Sequence, residues 1–124
     1  MKPYLLVFAG GGVGSVLRYL AARLISPSLA DSPFPMAILT VNILASAVLS
    51  AVVGWGLSRS LGEEARLLVG VGFCGGLSTF SSFSNDTVML LQNGRLGAAL
   101  LNIGLNVALC LLASAGGLFL GQRV

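Results

Sequence analysis

Gly72-Phe73-Cys74-Gly75-Gly76-Leu77-Ser78-Thr79-Phe80-Ser81-Ser82-Phe83-Ser84-Asn85 belongs to a stretch that carries no charge from Leu67 to Asn85. It makes a poor continuous helix all the same. Its three glycines lower helix propensity. Its Ser and Thr hydroxyls compete with the helix for backbone hydrogen bonds. We expect this segment to enter a membrane and break near the midplane, between Gly75 and Phe80. Broken helices occur at that depth only where the freed backbone is buried or lines a cavity. Their ends then serve ions: free carbonyls bind cations, and N-terminal N–H groups favour anions.

The surrounding chain supports a membrane setting. Of its 124 residues, 56% are hydrophobic and only 9% are charged, and mean hydropathy is +0.95. A soluble domain carries ~25% charged residues, so these could not cover a water-facing surface. Disorder is excluded because disordered chains are poor in apolar residues. The length suits one unit, a single four-span domain over residues 1–124.

A transmembrane helix needs ~20 mostly apolar residues, and four candidates are present. The first runs from about Tyr4 to about Ile25 and carries Arg18; the second lies inside Ser32 to Ser58. The third lies between Arg66 and about Gln92, and the fourth inside Leu96 to Gln122. The linkers between them are short and polar. Prolines at 27 and 33 stop a helix in the first; Ser58 to Arg66 and Gln92 to Arg95 form the others. Arg18 and Tyr19 stand where a signal-peptide cleavage site would need small residues, so the first span is read as retained. The runs lack the period-2 alternation of a membrane barrel. The expected fold is an all-α membrane protein of four transmembrane helices with the third broken.

Four spans put both termini on one side, with Lys2, Arg59, Arg66 and Arg123; Arg23 and Arg95 lie on the other. Orientation follows this difference. Four against two is a small bias, which permits insertion both ways and hence an antiparallel, dual-topology homodimer.

Several other chemistries are excluded. The chain has no His, and Cys74 and Cys110 sit apart in apolar runs, so neither a zinc site nor a disulfide framework is supported. No basic patch with interleaved aromatics points to nucleic acid. Gly70, Gly72 and Gly75 match a dinucleotide-binding spacing, but the strand and acidic residue that motif needs are missing. Gly10 and Gly14, and Gly72 and Gly76, read better as G-x-x-x-G faces that let helices approach.

Polar side chains inside spans are costly and face a partner or a water-filled cavity. Asn102, Asn106, Cys110 and Ser114 recur every four residues on the fourth span, as do Asn42, Ser46 and Ser50 on the second. That spacing puts each set on one helical face. The stripes suit either interhelical hydrogen bonds or the wall of a pathway; the expected break in the third span favours the pathway. The only carboxylate near it is Asp86, whereas amide and hydroxyl donors are plentiful, Thr79 and Ser81 among them. Phe80 and Phe83 share a face. Their spacing suits lipid-facing or core rings, but a ring edge is also positive enough to meet an anion. Arg18 adds a positive charge. The composition favours a small anion without naming it.

Residues 72–83 resemble the signature G-F-C-G-G-x-T-T-F-S-T-F of the CrcB/Fluc family of fluoride channels. Gly11-Gly12-Val13-Gly14-Ser15-Val16-Leu17-Arg18-Tyr19 is similar to that family's first-span motif, and Val41-Asn42 to its second-span V-N. The resemblance covers essentially the whole chain. Ser78 and Ser82 stand where the signature has Thr. Ala37-Ile38 and Ala45 stand where the family often has Gly-Thr and Gly.

The resemblance implies an antiparallel homodimer in the cell inner membrane, with two narrow pores conducting fluoride passively and giving fluoride resistance. Phe80 and Phe83 would turn ring edges to the ion, Asn42 would donate a hydrogen bond, and Asn102 and Asn106 would be polar pore residues. Gly75 and Ser78 would offer backbone carbonyls to a structural Na⁺ at the dimer interface, and Arg18 would be a structural charge.

Two rivals are a small dual-topology proton-coupled multidrug exporter and a non-transporting membrane subunit. The exporter needs a carboxylate in the first span, which is absent. The subunit leaves the broken third span unexplained. No nucleophile–base pair or metal set points to an enzyme.

Overall fold

A computed structural model describes residues 1–26 and 34–124. Among these every regular element is a helix, with no strand. Helices α1 (Lys2–Ile25) and α2 (Met36–Ser58) are the first two spans. The third, Glu63–Gln92, is composite. It opens with α3 (Glu63–Ala65), winds as a π-helix over Arg66–Cys74 and returns to α4 (Gly75–Leu77). After Ser78 and Thr79 it resumes as α5 (Phe80–Gln92). Helix α6 (Leu96–Arg123) completes the bundle. The proline-flanked first linker lies, apart from Ser26, outside the described residues.

All four spans are long and apolar enough to cross a membrane. At ~1.5 Å per residue even the shortest exceeds a hydrocarbon core of ~30 Å. Their outer surface is apolar too: Phe8 is 80% exposed and Leu112 68%. Such rings and chains suit lipid and not water.

The spans associate as two parallel pairs. In the first, Gly10 and Gly14 of α1 meet the third span. A Cβ at Gly10 would strike the Leu68 carbonyl, and one at Gly14 the Phe73 carbonyl and Leu77 N. From the other side, a Cβ at Gly72 would meet the Val7 carbonyl and Gly11 N, and one at Gly76 the Gly11 carbonyl. The two G-x-x-x-G faces read from the sequence therefore pack on each other, backbone to backbone. In membranes, where apolar burial between helices drives little, such contact is the main source of association. An ion pair between Lys2 Nζ and Glu64 Oε1 joins the starts of α1 and the third span, in keeping with both lying at one end of the bundle.

The second pair, α2 with α6, uses a seam that the sequence reading left unremarked. Gly117 and Gly121 abut the carbonyls of Ala47 and Ala51, and Gly54 abuts that of Leu118. Between the pairs lies a small buried cluster of Val41, Ala45, Cys74 and Leu77. It places the middle of α2 against the end of α4, where the third span breaks.

Candidate functional site

The interruption falls inside the expected interval but not at the glycines. Gly75, Gly76 and Leu77 are still helical; the extended residues are Ser78 (φ −77°, ψ 154°) and Thr79 (φ −154°, ψ 117°). Local chemistry explains the position. The Ser78 N–H and hydroxyl both donate to the Cys74 carbonyl, at 3.0 and 2.9 Å, and close the first helix. Thr79 then acts as the N-cap of α5: its Oγ1 accepts the Ser82 N–H at 3.2 Å. The hydroxyls of Ser81 and Ser82 gather on the same Oγ1, at 3.1 and 3.2 Å. The glycines serve the packing against α1, and the two hydroxyl residues make the break.

Extended Thr79 is buried and pairs with Asn42 as with a neighbouring strand. Its N–H donates to Asn42 Oδ1 at 2.8 Å, and Asn42 Nδ2 donates to its carbonyl at 3.4 Å. The same Nδ2 donates to Asn106 Oδ1 at 3.2 Å. A cavity of about 270 Å³ opens beside this junction. Asn42, Ser46, Ser78, Thr79 and Asn106 form its polar wall; Phe80, Phe83, Val107 and Cys110 form the rest. The Phe80 and Phe83 ring centroids are 5.5 Å apart with planes inclined by 47°.

No lining residue carries a formal charge. The electrostatics come from the broken backbone. Among the described residues, the Phe80 and Ser81 N–H groups at the start of α5 have no hydrogen-bond acceptor, and a helix start carries roughly +0.5 charge. Across the break, the Gly75, Gly76 and Leu77 carbonyls accept no hydrogen bond from the described residues, as expected at a helix end. Donors and acceptors therefore lie on opposite sides of two residues. Such an arrangement can hold an anion on one side and a hard cation on the other.

The remaining candidates lie off this cavity. Asn102 is 1% exposed and sits behind the wall; it accepts from Asn106 Nδ2 and donates to Thr87 Oγ1, both at 3.0 Å. Ser81 is exposed and joins the site only through Thr79. Arg18 is half-buried on α1, does not line the cavity, and makes no ion pair among the described residues. Gly75 is exposed, with open space beside its Cα. Of the stripes, Ser46 and Cys110 reach the cavity; Ser50 and Ser114 do not line it. The sequence reading missed Thr87, because its partner Asn102 lies on another helix and no local spacing connects them.

A family model described as CrcB-like protein, Camphor Resistance (CrcB), matches residues 5–118. The chain belongs to the CrcB family. The fluoride-specific ion channel FluC of Shewanella frigidimarina (strain NCIMB 400) is 42% identical over 124 residues, 100% of this chain and 96% of that protein. The proteins of the same name from Shewanella denitrificans and Shewanella halifaxensis are 41% and 39% identical over the same shares. These CrcB relatives bear the name of an ion channel and not of an enzyme. Family and spans together make this chain a multi-pass membrane protein.

Proposed function

We propose that this chain is a fluoride-selective channel that exports fluoride passively and gives its cell fluoride resistance. The observation that carries the reading is the convergence of Asn42, Thr79, Phe80, Phe83 and Asn106 on one cavity at the break. Hydrogen fluoride enters from acidic surroundings, dissociates in the cytoplasm and leaves the anion trapped; a channel in the inner membrane lets it out.

Fluoride is small and strongly hydrated. A filter must replace that water with several donors held close together. An amide edge, hydroxyls and positive ring edges offer this without a formal charge that would hold the ion too tightly. A larger ion such as chloride would be matched less well by donors so spaced. Asn42, Phe80, Phe83, Thr79, Ser81 and Asn106 form the fluoride pathway in this reading, with Asn102 behind them, and Arg18 contributes structural charge.

The working unit is an antiparallel homodimer with dual topology. Two features support this: the cavity is open on one side, and Phe80 is 79% exposed at its rim. A second copy would enclose both. A structural Na⁺ at the interface fits the residues present, because the unpaired carbonyls at the end of α4 are hard oxygen donors on an exposed glycine. Gly75 and Ser78 would hold it through backbone oxygens, and it would neutralise the negative helix ends and lock the two copies together.

The test is ion efflux from liposomes carrying the purified protein. Fluoride should leave far faster than chloride, without a proton gradient. Equal rates would overturn the reading.

A further inference from the structure

We propose that Thr87 and Asn102, neither of which lines the cavity, are positioning residues that, together with the Thr79 N–H, hold the Asn42 amide with its NH₂ edge toward it. The proposal rests on the fluoride-pathway reading. Its basis is a run of hydrogen bonds that all point one way. The Thr79 N–H donates to Asn42 Oδ1 at 2.8 Å, and Asn42 Nδ2 to Asn106 Oδ1 at 3.2 Å. Asn106 Nδ2 donates to Asn102 Oδ1, and Asn102 Nδ2 to Thr87 Oγ1, both at 3.0 Å. The Thr87 hydroxyl donates to the Phe83 carbonyl at 2.8 Å. The run leaves the break, crosses α2 and α6, and returns to α5.

Its direction is set at both ends. A backbone N–H can only donate, so the Asn42 atom facing Thr79 is oxygen. A carbonyl can only accept, so the Thr87 proton is committed to Phe83 and the hydroxyl meets Asn102 as an acceptor. Asn102 therefore turns its NH₂ to Thr87 and its oxygen to Asn106, and Asn106 turns its own oxygen to Asn42. Reversing any amide sets donor against donor on one side and acceptor against acceptor on the other. Asn102, Asn106 and Thr87 are buried, where an unmatched polar group is costly.

The consequence for an anion is specific. With its oxygen held by Thr79, Asn42 offers the cavity only its NH₂ edge. A reversed amide would put partial negative charge there. The donors of Asn106 are already committed to the carbonyl and Oδ1 of Asn102, both at 3.0 Å. The bond most easily given up is the one from Asn42 to the Thr79 carbonyl, at 3.4 Å. The run thus turns three asparagines into one oriented donor.

Thr87→Val keeps the side chain's shape and removes the acceptor; Thr87→Ser restores the hydroxyl. The full chain, labelled with ¹⁵N-asparagine and placed in lipid bilayers, gives side-chain amide signals by solid-state NMR. In Thr87→Val the signals of Asn102, Asn106 and Asn42 should all move, while those of exposed Asn85 and Asn93 stay in place. Fluoride efflux should fall ~10-fold or more, as the loss of one oriented donor in the barrier implies. The fluoride-to-chloride ratio should fall with it. Thr87→Ser should match the unaltered protein in all three readouts. A shift confined to Asn102 would overturn the relay, and shifts reaching Asn42 with efflux unchanged would overturn the positioning role. Should the unaltered protein pass no fluoride, the pathway reading fails instead, and the amide signals alone decide whether the relay holds.

Discussion

Asn42 Oδ1 accepts the Thr79 N–H at 2.8 Å and so ties the middle of α2 to the break in the third span. Asn42→Ala would leave a buried N–H without an acceptor at Thr79 and an oxygen without a donor at Asn106. We expect a stability loss of ~1–3 kcal/mol, measurable as a lowered denaturation midpoint in detergent. Asn42→Asp retains the acceptor for Thr79 but places a carboxylate in the cavity wall. Like charges ~4 Å apart repel by ~4 kcal/mol at an effective dielectric of ~20, enough to slow fluoride efflux ~1,000-fold. A fluoride electrode reads this directly, and undiminished efflux would remove Asn42 from the pathway.

Phe80 and Phe83 separate transport from folding. Phe80 is 79% exposed in the single copy, so Phe80→Ile should change the stability of each copy's own fold by less than ~0.5 kcal/mol. An aliphatic chain has no positive ring edge to offer, so each Phe→Ile variant should lose most fluoride efflux. Full transport in both variants would refute the assignment of these rings and leave the fold untouched.

The glycine seams make a prediction that needs no ion. Gly14→Ala and Gly76→Ala each force a methyl into the facing backbone, and overpacking of this kind costs ~1–3 kcal/mol. Gly12 has nothing within 4 Å of its missing Cβ. There Ala should be neutral or gain up to ~1 kcal/mol from helix propensity. Unfolding midpoints of the three variants test the ordering. A Gly12→Ala variant as damaged as Gly76→Ala would refute the parallel α1 pairing.

Sodium dependence is the fourth expectation. Exchanging Na⁺ for a bulky organic cation throughout purification and reconstitution should lower the fraction of liposomes that release fluoride. Ser78→Thr should leave that dependence unchanged, since the proposed donors there are backbone carbonyls. A Ser78→Thr channel that no longer responds to Na⁺ would argue for a side-chain ligand.

Much of this was legible in the residues. Apolar runs of membrane length, nearly free of charge, gave four spans, and the spacing of Gly10 with Gly14 and of Gly72 with Gly76 gave the faces on which α1 and the third span meet. The hydroxyl-rich stretch after Gly76 announced a break. Its exact seat at Ser78 and Thr79 did not follow from propensity, because glycine is tolerated in a helix whose neighbour needs the space. The π-wound turns over Arg66–Cys74 had no local signal either. The stripe containing Asn42 and Ser46 and the stripe containing Asn106 and Cys110 were visible, but not which members reach the cavity. That depends on how α2 and α6 cross, a matter settled by Gly54, Gly117 and Gly121 against backbone carbonyls.

By itself the sequence determined the solvent, the number of spans and the weak point of the third, since hydropathy, charge and helix propensity act within a single segment. Only the tertiary structure decided that the Thr79 N–H would find Asn42 and that Asn102 would answer to Thr87. Hydrogen-bond partners far apart in the chain are chosen by helix packing, and packing is a property of pairs of surfaces, which no single segment contains.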